Sequence, residues 1–82
     1  MTTADEAVTS AWSALSKSYS GVHRSDVECR PIPGGFRCWV RPAVGEQTLG
    51  SLHVLVREDD GALGYCSSGL LDSLAAQAIE EM

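Results

Sequence analysis

Residues Val27 to Arg41 alternate in a way that makes sense only if the segment folds back on itself. Val27 to Arg30 reads as one strand and Phe36 to Arg41 as another, with Pro31-Ile32-Pro33-Gly34-Gly35 as the loop between them. A turn at Pro33-Gly34 sets Val27 opposite Val40, Cys29 opposite Cys38 and Pro31 opposite Phe36. Side chains on a strand point to alternate faces, so these pairs share one face, and Glu28, Arg30, Arg37, Trp39 and Arg41 share the other. An L-Pro-Gly pair suits a tight two-residue turn poorly, and a longer loop with the same register serves equally well.

The rest of the chain supplies partners for this hairpin. After Pro42, a polar connection runs from Ala43 to Thr48, and Leu49 to Arg57 is the strongest strand pattern. Leu52, Val54 and Val56 point one way, and His53, Leu55 and Arg57 the other. Glu58-Asp59-Asp60-Gly61 is a turn, and Ala62 to Cys66 a short fourth strand with Leu63 and Tyr65 as its apolar side. Thr3-Ala4-Asp5-Glu6 has the form of a capping box. Behind it Ala4, Ala7, Val8, Ala11, Trp12, Leu15 and Tyr19 draw one helical stripe, with Trp12 as its large anchor. Ser67 or Ser68 is placed to cap a last helix whose stripe is Leu70, Leu71, Leu74, Ala75, Ala78, Ile79 and Met82. The expected fold is α+β, in the order α-β-β-β-β-α. An antiparallel meander with both helices packed on one face is the economical arrangement, because each helix must bury one stripe. Residues 1–82 form a single domain in this reading, without repeats or linkers.

Charge bounds the partners. The formal net charge is −5, and an acidic chain repels phosphate backbones, which disfavours nucleic acid. The distribution is uneven: the stretch Arg24 to Arg57 holds five arginines against three carboxylates, a net of +2, leaving −7 elsewhere. No apolar run approaches the roughly 20 residues of a membrane helix. The acidic start Met1-Thr2-Thr3-Ala4-Asp5-Glu6 is the opposite of a signal peptide, so a cytoplasmic location is expected.

The reactive side chains form no recognisable catalytic set. Cys29, Cys38 and Cys66 read as reduced, buried thiols. Opposed Cys29 and Cys38 could bridge in an oxidising setting, although cross-strand geometry is often strained. A zinc site usually needs close ligand pairs such as C-x-x-C, and none exists. Cys66 precedes a helix, where a thiol is acidified, but it lacks a positioned base. His23 reads as a solvated loop residue, and Glu58-Asp59-Asp60 is too short for a calcium loop. Neither Gly34-Gly35 nor Gly61-x-x-Gly64 opens a helix after a strand as a dinucleotide fingerprint requires. The expectation is a protein that is not an enzyme, with no cofactor and no metal.

The outer face of the sheet is the informative surface. By alternation it carries Arg30, Arg37, Trp39, Arg41, His53, Leu55 and Arg57, where a solvated sheet would show Thr, Lys, Glu and Gln. Tryptophan and arginine are the residues most enriched at binding hot spots, and the planar guanidinium can take a carboxylate through two hydrogen bonds. The competing reading is Trp39 covered by its own arginine neighbours through cation–π stacking.

The order of features also resembles the YrhB-type family of small bacterial proteins, grouped with immunity proteins of toxin systems. The resemblance lies in a short first helix, the aromatic strand Gly35-Phe36-Arg37-Cys38-Trp39-Val40 and the Leu49-Gly50 step. It continues through the strand and turn Val54-Leu55-Val56-Arg57-Glu58-Asp59-Asp60-Gly61 to a final helix. It implies a protein that neutralises or escorts a partner protein, such as a toxin or an enzyme, and it brings no catalytic residues. Two expectations follow for partners: a protein clamped by the sheet face, or a second copy meeting it sheet to sheet. An alternative is a phage-type inhibitor that blocks a basic site on an enzyme with its acidic helices. A third reading, a nucleic-acid-binding domain of double-stranded-RNA-binding-like topology, has the charge against it.

Overall fold

In the computed structural model, which describes residues 1–41 and 52–82, the chain runs α1 (Ala4–Ser18), a 3-10 turn (Arg24–Asp26), β1 (Val27–Ile32), β2 (Gly35–Val40), β3 (Leu52–Arg57), β4 (Leu63–Ser67) and α2 (Asp72–Glu80). The expected polar connection 43–48, the Leu49-Gly50 step and the first residues of the third strand lie outside the described residues. The four strands form one antiparallel sheet in the order β1-β2-β3-β4, the meander read from the sequence. Its first hairpin has the expected register, with Val27 opposite Val40, Cys29 opposite Cys38 and Pro31 opposite Phe36.

The turn at Pro33-Gly34 is the tight one. Gly34 sits at φ +87, a left-handed conformation in which L side chains are strained. Gly35 is required for a different reason. A Cβ there would stand 2.0 Å from the Val56 carbonyl oxygen, so only glycine lets β2 approach β3 this closely.

Helix α1 begins with the expected capping box: the Thr3 hydroxyl accepts from the Glu6 amide, and the Glu6 carboxylate accepts from the Thr3 amide. It packs across β1, β2 and β3. Ala7, Ala11, Ala14 and Leu15 close against Val27, Cys38, Val54 and Val56, and Trp12 packs at the margin, its indole N–H donating to the Val22 carbonyl at 2.9 Å. Three alanines on the buried stripe let the helix axis come close to the sheet, and Leu15 fills the space they leave.

The sequence reading puts both helices on one face; the structure puts one on each. The second cluster joins Ala75 and Ile79 of α2 to Ile32 and Leu55, which point away from α1 by the alternation along β1 and β3. The reason is spatial. A fifteen-residue α1 already spans three strands of the apolar face, whereas nine-residue α2 buries only Ala75 and Ile79 and needs only a narrow apolar strip. Ile32, Leu55 and the half-buried Cys66 supply that strip. Leu70 and Ala78 of the stripe pack partly against this cluster, whereas Leu71 and Leu74 are exposed. So are Leu63 and Tyr65 on β4, whose apolar side lies beyond the three strands that α1 covers. Leu71, not Ser67 or Ser68, is the α2 N-cap residue, and no side chain caps the helix.

Candidate functional site

The face on which α2 lies is the face expected to be open, so each of its residues needs a new account. Arg37 is the centre of it. Its position opposite Leu55 puts it in the middle of the sheet, and its side chain is only 2% exposed. A buried guanidinium must satisfy its N–H groups inside the protein. Arg37 does so fully on one side: Nε donates to His53 Nδ1 at 2.8 Å and Nη1 to Asp72 Oδ1 at 2.8 Å. Nη2 donates to the Ser67 carbonyl at 3.1 Å and more weakly to that of Ser68. Arg37 thus ties β2 to β3, to the end of β4 and to the first residue of α2. It is an internal clamp, not a contact for a partner.

Asp72 is shared. The same carboxylate oxygen that receives Arg37 accepts from Arg30 Nη2 at 2.8 Å. Hydrogen bonding from Arg37, first, and the nearby Arg30 charge hold its carboxyl below the ordinary carboxylate range. Its place in the first turn of α2 favours the anion further, because the helix N-terminus carries partial positive charge.

His53 is half-buried. Arg37 cannot give up its proton, so His53 Nδ1 is the acceptor and the ring is neutral with its proton on Nε2. Burial, and then the Arg37 and Arg30 charges, keep its pKa below the ordinary histidine value. Its ring stacks on Trp39, with centroids 5.2 Å apart and planes 22° from parallel. On the other side the Arg30 guanidinium lies 5.5 Å from the Trp39 ring centroid, the expected cation–π contact. Glu28 completes the strip by accepting from Trp39 Nε1 at 3.0 Å and from Arg41 Nε at 2.9 Å.

The seven residues read from the sequence as one binding face therefore divide. Arg30, Trp39, Arg41 and His53 form a continuous strip beside α2. Leu55, 1% exposed, and Arg37 are interior. Arg57 lies at the far end of the sheet, where its guanidinium grips the Asp60 carboxylate and donates to the Met82 carbonyl. Sequence reasoning missed Glu28 and Asp72, the acceptors that fix the arginines. Glu28 was on the right face by alternation, but Asp72 was hidden by the assumption that α2 packed elsewhere.

At that far end, the β1–β2 turn, the β3–β4 turn and α2 enclose an open cleft lined by Glu58, Asp59, Asp60 and Glu80. The three thiols do not converge. Cys29 and Cys38 meet on the α1 face, and Cys66 packs with Leu55 on the α2 face. No family model, curated protein or solved structure matches this chain.

Proposed function

We propose that this protein is a small binding module, immunity- or inhibitor-like, that engages a partner protein through the strip Arg30, Trp39, Arg41 and His53. The observation that carries the reading is the state of Trp39. It belongs to neither core cluster, yet its ring is held by His53 on one side, Arg30 on another and Glu28 at its N–H. An aromatic side chain fixed in advance loses little freedom on binding, and flanking guanidinium groups favour a partner that presents carboxylates. A partner carboxylate would take over the Arg41 hydrogen bond now made to Glu28. The module acts by occupying a surface, without chemistry of its own.

A second reading is favoured by the carboxylate-lined cleft. A basic site on an enzyme could be blocked by Glu58, Asp59 and Glu80, as a phage-type inhibitor would do it, with Glu81 adjoining. One experiment separates the two. The tagged protein is used for affinity capture from its native lysate beside a Trp39→Ala, Arg41→Ala variant and a Glu80→Lys, Glu81→Lys variant. A single stoichiometric protein lost only with the first variant, its thermal midpoint nearly unchanged, supports the strip. Loss only with the second moves the function to the acidic end. Nucleic acid in the eluate, or no partner, overturns both.

A further inference from the structure

The α1 face contains a feature that binding does not use. Cys29 and Cys38 are directly opposed on β1 and β2, and their sulfurs lie 2.9 Å apart. Opposed residues of an antiparallel pair have Cα atoms about 4.5 or 5.5 Å apart, and both spacings lie within the disulfide range. The sulfurs need to close by only about 0.9 Å to reach bonding distance. The pair is also asymmetric. Cys29 is on the edge strand and half-buried, whereas Cys38 is 0% exposed beneath α1.

We propose that Cys29 and Cys38 form a redox-active dithiol that exchanges with low-molecular-weight disulfides, Cys29 attacking and Cys38 resolving. The direction follows from the hydrogen bond and from access. The Cys38 thiol donates to Cys29 Sγ, which favours the thiolate at Cys29 and holds its pKa below the ordinary thiol value. The same bond and burial push the Cys38 thiol up, so it is the poorer first nucleophile. Of the two, Cys29 is the one open to a disulfide RSSR. The Cys29 thiolate attacks one sulfur, the RS–SR bond breaks as Cys29–S–S–R forms, and RS⁻ leaves to take up the proton Cys29 released. Cys38 then loses its proton and attacks the Cys29 sulfur. The Cys29–Cys38 bond forms, the mixed bond breaks, and the second RS⁻ is protonated. Two thiols give up two electrons, and one disulfide becomes two thiols. The new bond closes a short loop, which constrains the unfolded chain less than a long one would, and the half-buried Cys29 leaves it open to attack by a reducing thiol.

Cys66 is the internal comparison. It is half-buried like Cys29, but burial raises its pKa, it has no thiol partner, and the sheet separates it from the pair. The test uses the folded protein with glutathione disulfide as the probe, read by intact mass and peptide mapping. Wild type should form the Cys29–Cys38 bond, and reduced glutathione should reverse it. Cys38→Ala should stop at one glutathione on Cys29, Cys29→Ala should leave Cys38 free of glutathione over the same interval, and Cys66→Ala should behave as wild type. Brief alkylation of unmutated protein gives a reading that no folding defect can confound, with Cys29 modified before Cys38 and Cys66. Reaction first at Cys66, a bond that forms only in denaturant, or no adduct on folded Cys38→Ala would overturn the proposal.

Discussion

The two faces of the sheet are both covered by a helix, but different interactions attach them. On the α1 face the enclosed contact with the sheet is apolar, with Ala7, Ala11 and Leu15 fully buried against Val54, Val56 and Cys38, and the polar attachments lie at its margin. On the α2 face the apolar contact shrinks to Ala75 and Ile79 on Ile32 and Leu55, and a buried arginine does the rest. Apolar burial is tolerant of detail and roughly proportional to area. A buried guanidinium is not. It recovers its desolvation cost only when its N–H groups are satisfied, and removing it leaves enclosed acceptors unpaired. The α1 face should therefore degrade gradually under mutation, and the α2 face should fail at one residue.

The largest expected effect tests that contrast directly. Arg37→Ala leaves His53 Nδ1 and the Ser67 carbonyl without this donor, leaves Asp72 to Arg30 alone and opens a cavity. It should cost about 3–5 kcal/mol, a large part of the roughly 4–12 kcal/mol available to a domain of this size. Equilibrium denaturation gives the total, and amide exchange shows where it falls. Amides of α2 should lose protection while those of α1 retain more of theirs. Equal loss in both helices would break the comparison, making the two faces one cooperative unit. Leu15→Ala is next, at about 2–4 kcal/mol. It removes the largest fully buried side chain of the α1 face, yet several enclosed neighbours remain.

The same contrast explains what could be read from the sequence. The meander, the register of β1 on β2 and the capping box on α1 follow from local rules, namely alternation, turn chemistry and three-residue spacing. All of these act within a few residues. The side taken by α2 is not local. Its stripe of seven apolar residues looked wide enough for a full apolar face, but Leu71 and Leu74 remain exposed. The deciding contact joins Arg37 to Asp72 across thirty-five positions. Arginine on a strand reads as a solvated residue unless its acceptors are known, and they come from β3, the end of β4 and α2. For that reason alternation alone groups Arg37 with the surface strip, whereas for Trp39, Arg30, Arg41 and His53 it gives the face the structure shows.

Mild acid should act on the α2 face, through His53. His53 is held below the ordinary histidine value of 6.5, mainly by burial and then by the Arg37 and Arg30 charges. A base with a lowered folded pKa contributes fully above its unfolded value. As pH falls through about 6.5, the unfolded chain takes up a proton that the folded imidazole resists, so stability declines until the folded pKa is passed. Protonation also turns Nδ1 into a donor facing Arg37 Nε. Asp72 adds a second, lower window. Its folded pKa is depressed below 3.8, so its contribution is present above that value and lost as pH falls through the folded one. Denaturation midpoints measured from about pH 8 to pH 5 should fall in wild type. They should flatten in His53→Gln, whose amide oxygen can still accept from Arg37. An unchanged slope in the variant would assign the acid sensitivity elsewhere.

The smallest effects distinguish the helix ends, and there the two faces should respond with opposite sign. Thr3 caps α1 through its hydroxyl, so Thr3→Ala should cost about 1 kcal/mol. Helix α2 starts at Leu71, which already has the extended backbone of an N-cap at φ −66 and ψ 148 but offers no side-chain acceptor. Its apolar side chain is 67% exposed, so little burial is lost on replacing it. Leu71→Ser should therefore supply a hydroxyl to the free amides of the first turn and stabilise by about 0.5–1 kcal/mol. Ser68→Ala, at a position that looks like a cap only in the sequence, should change little. Thermal midpoints of the three variants test this together. If Leu71→Ser gains nothing, the first-turn amides at this exposed end are already satisfied by water, and a side-chain cap adds nothing there.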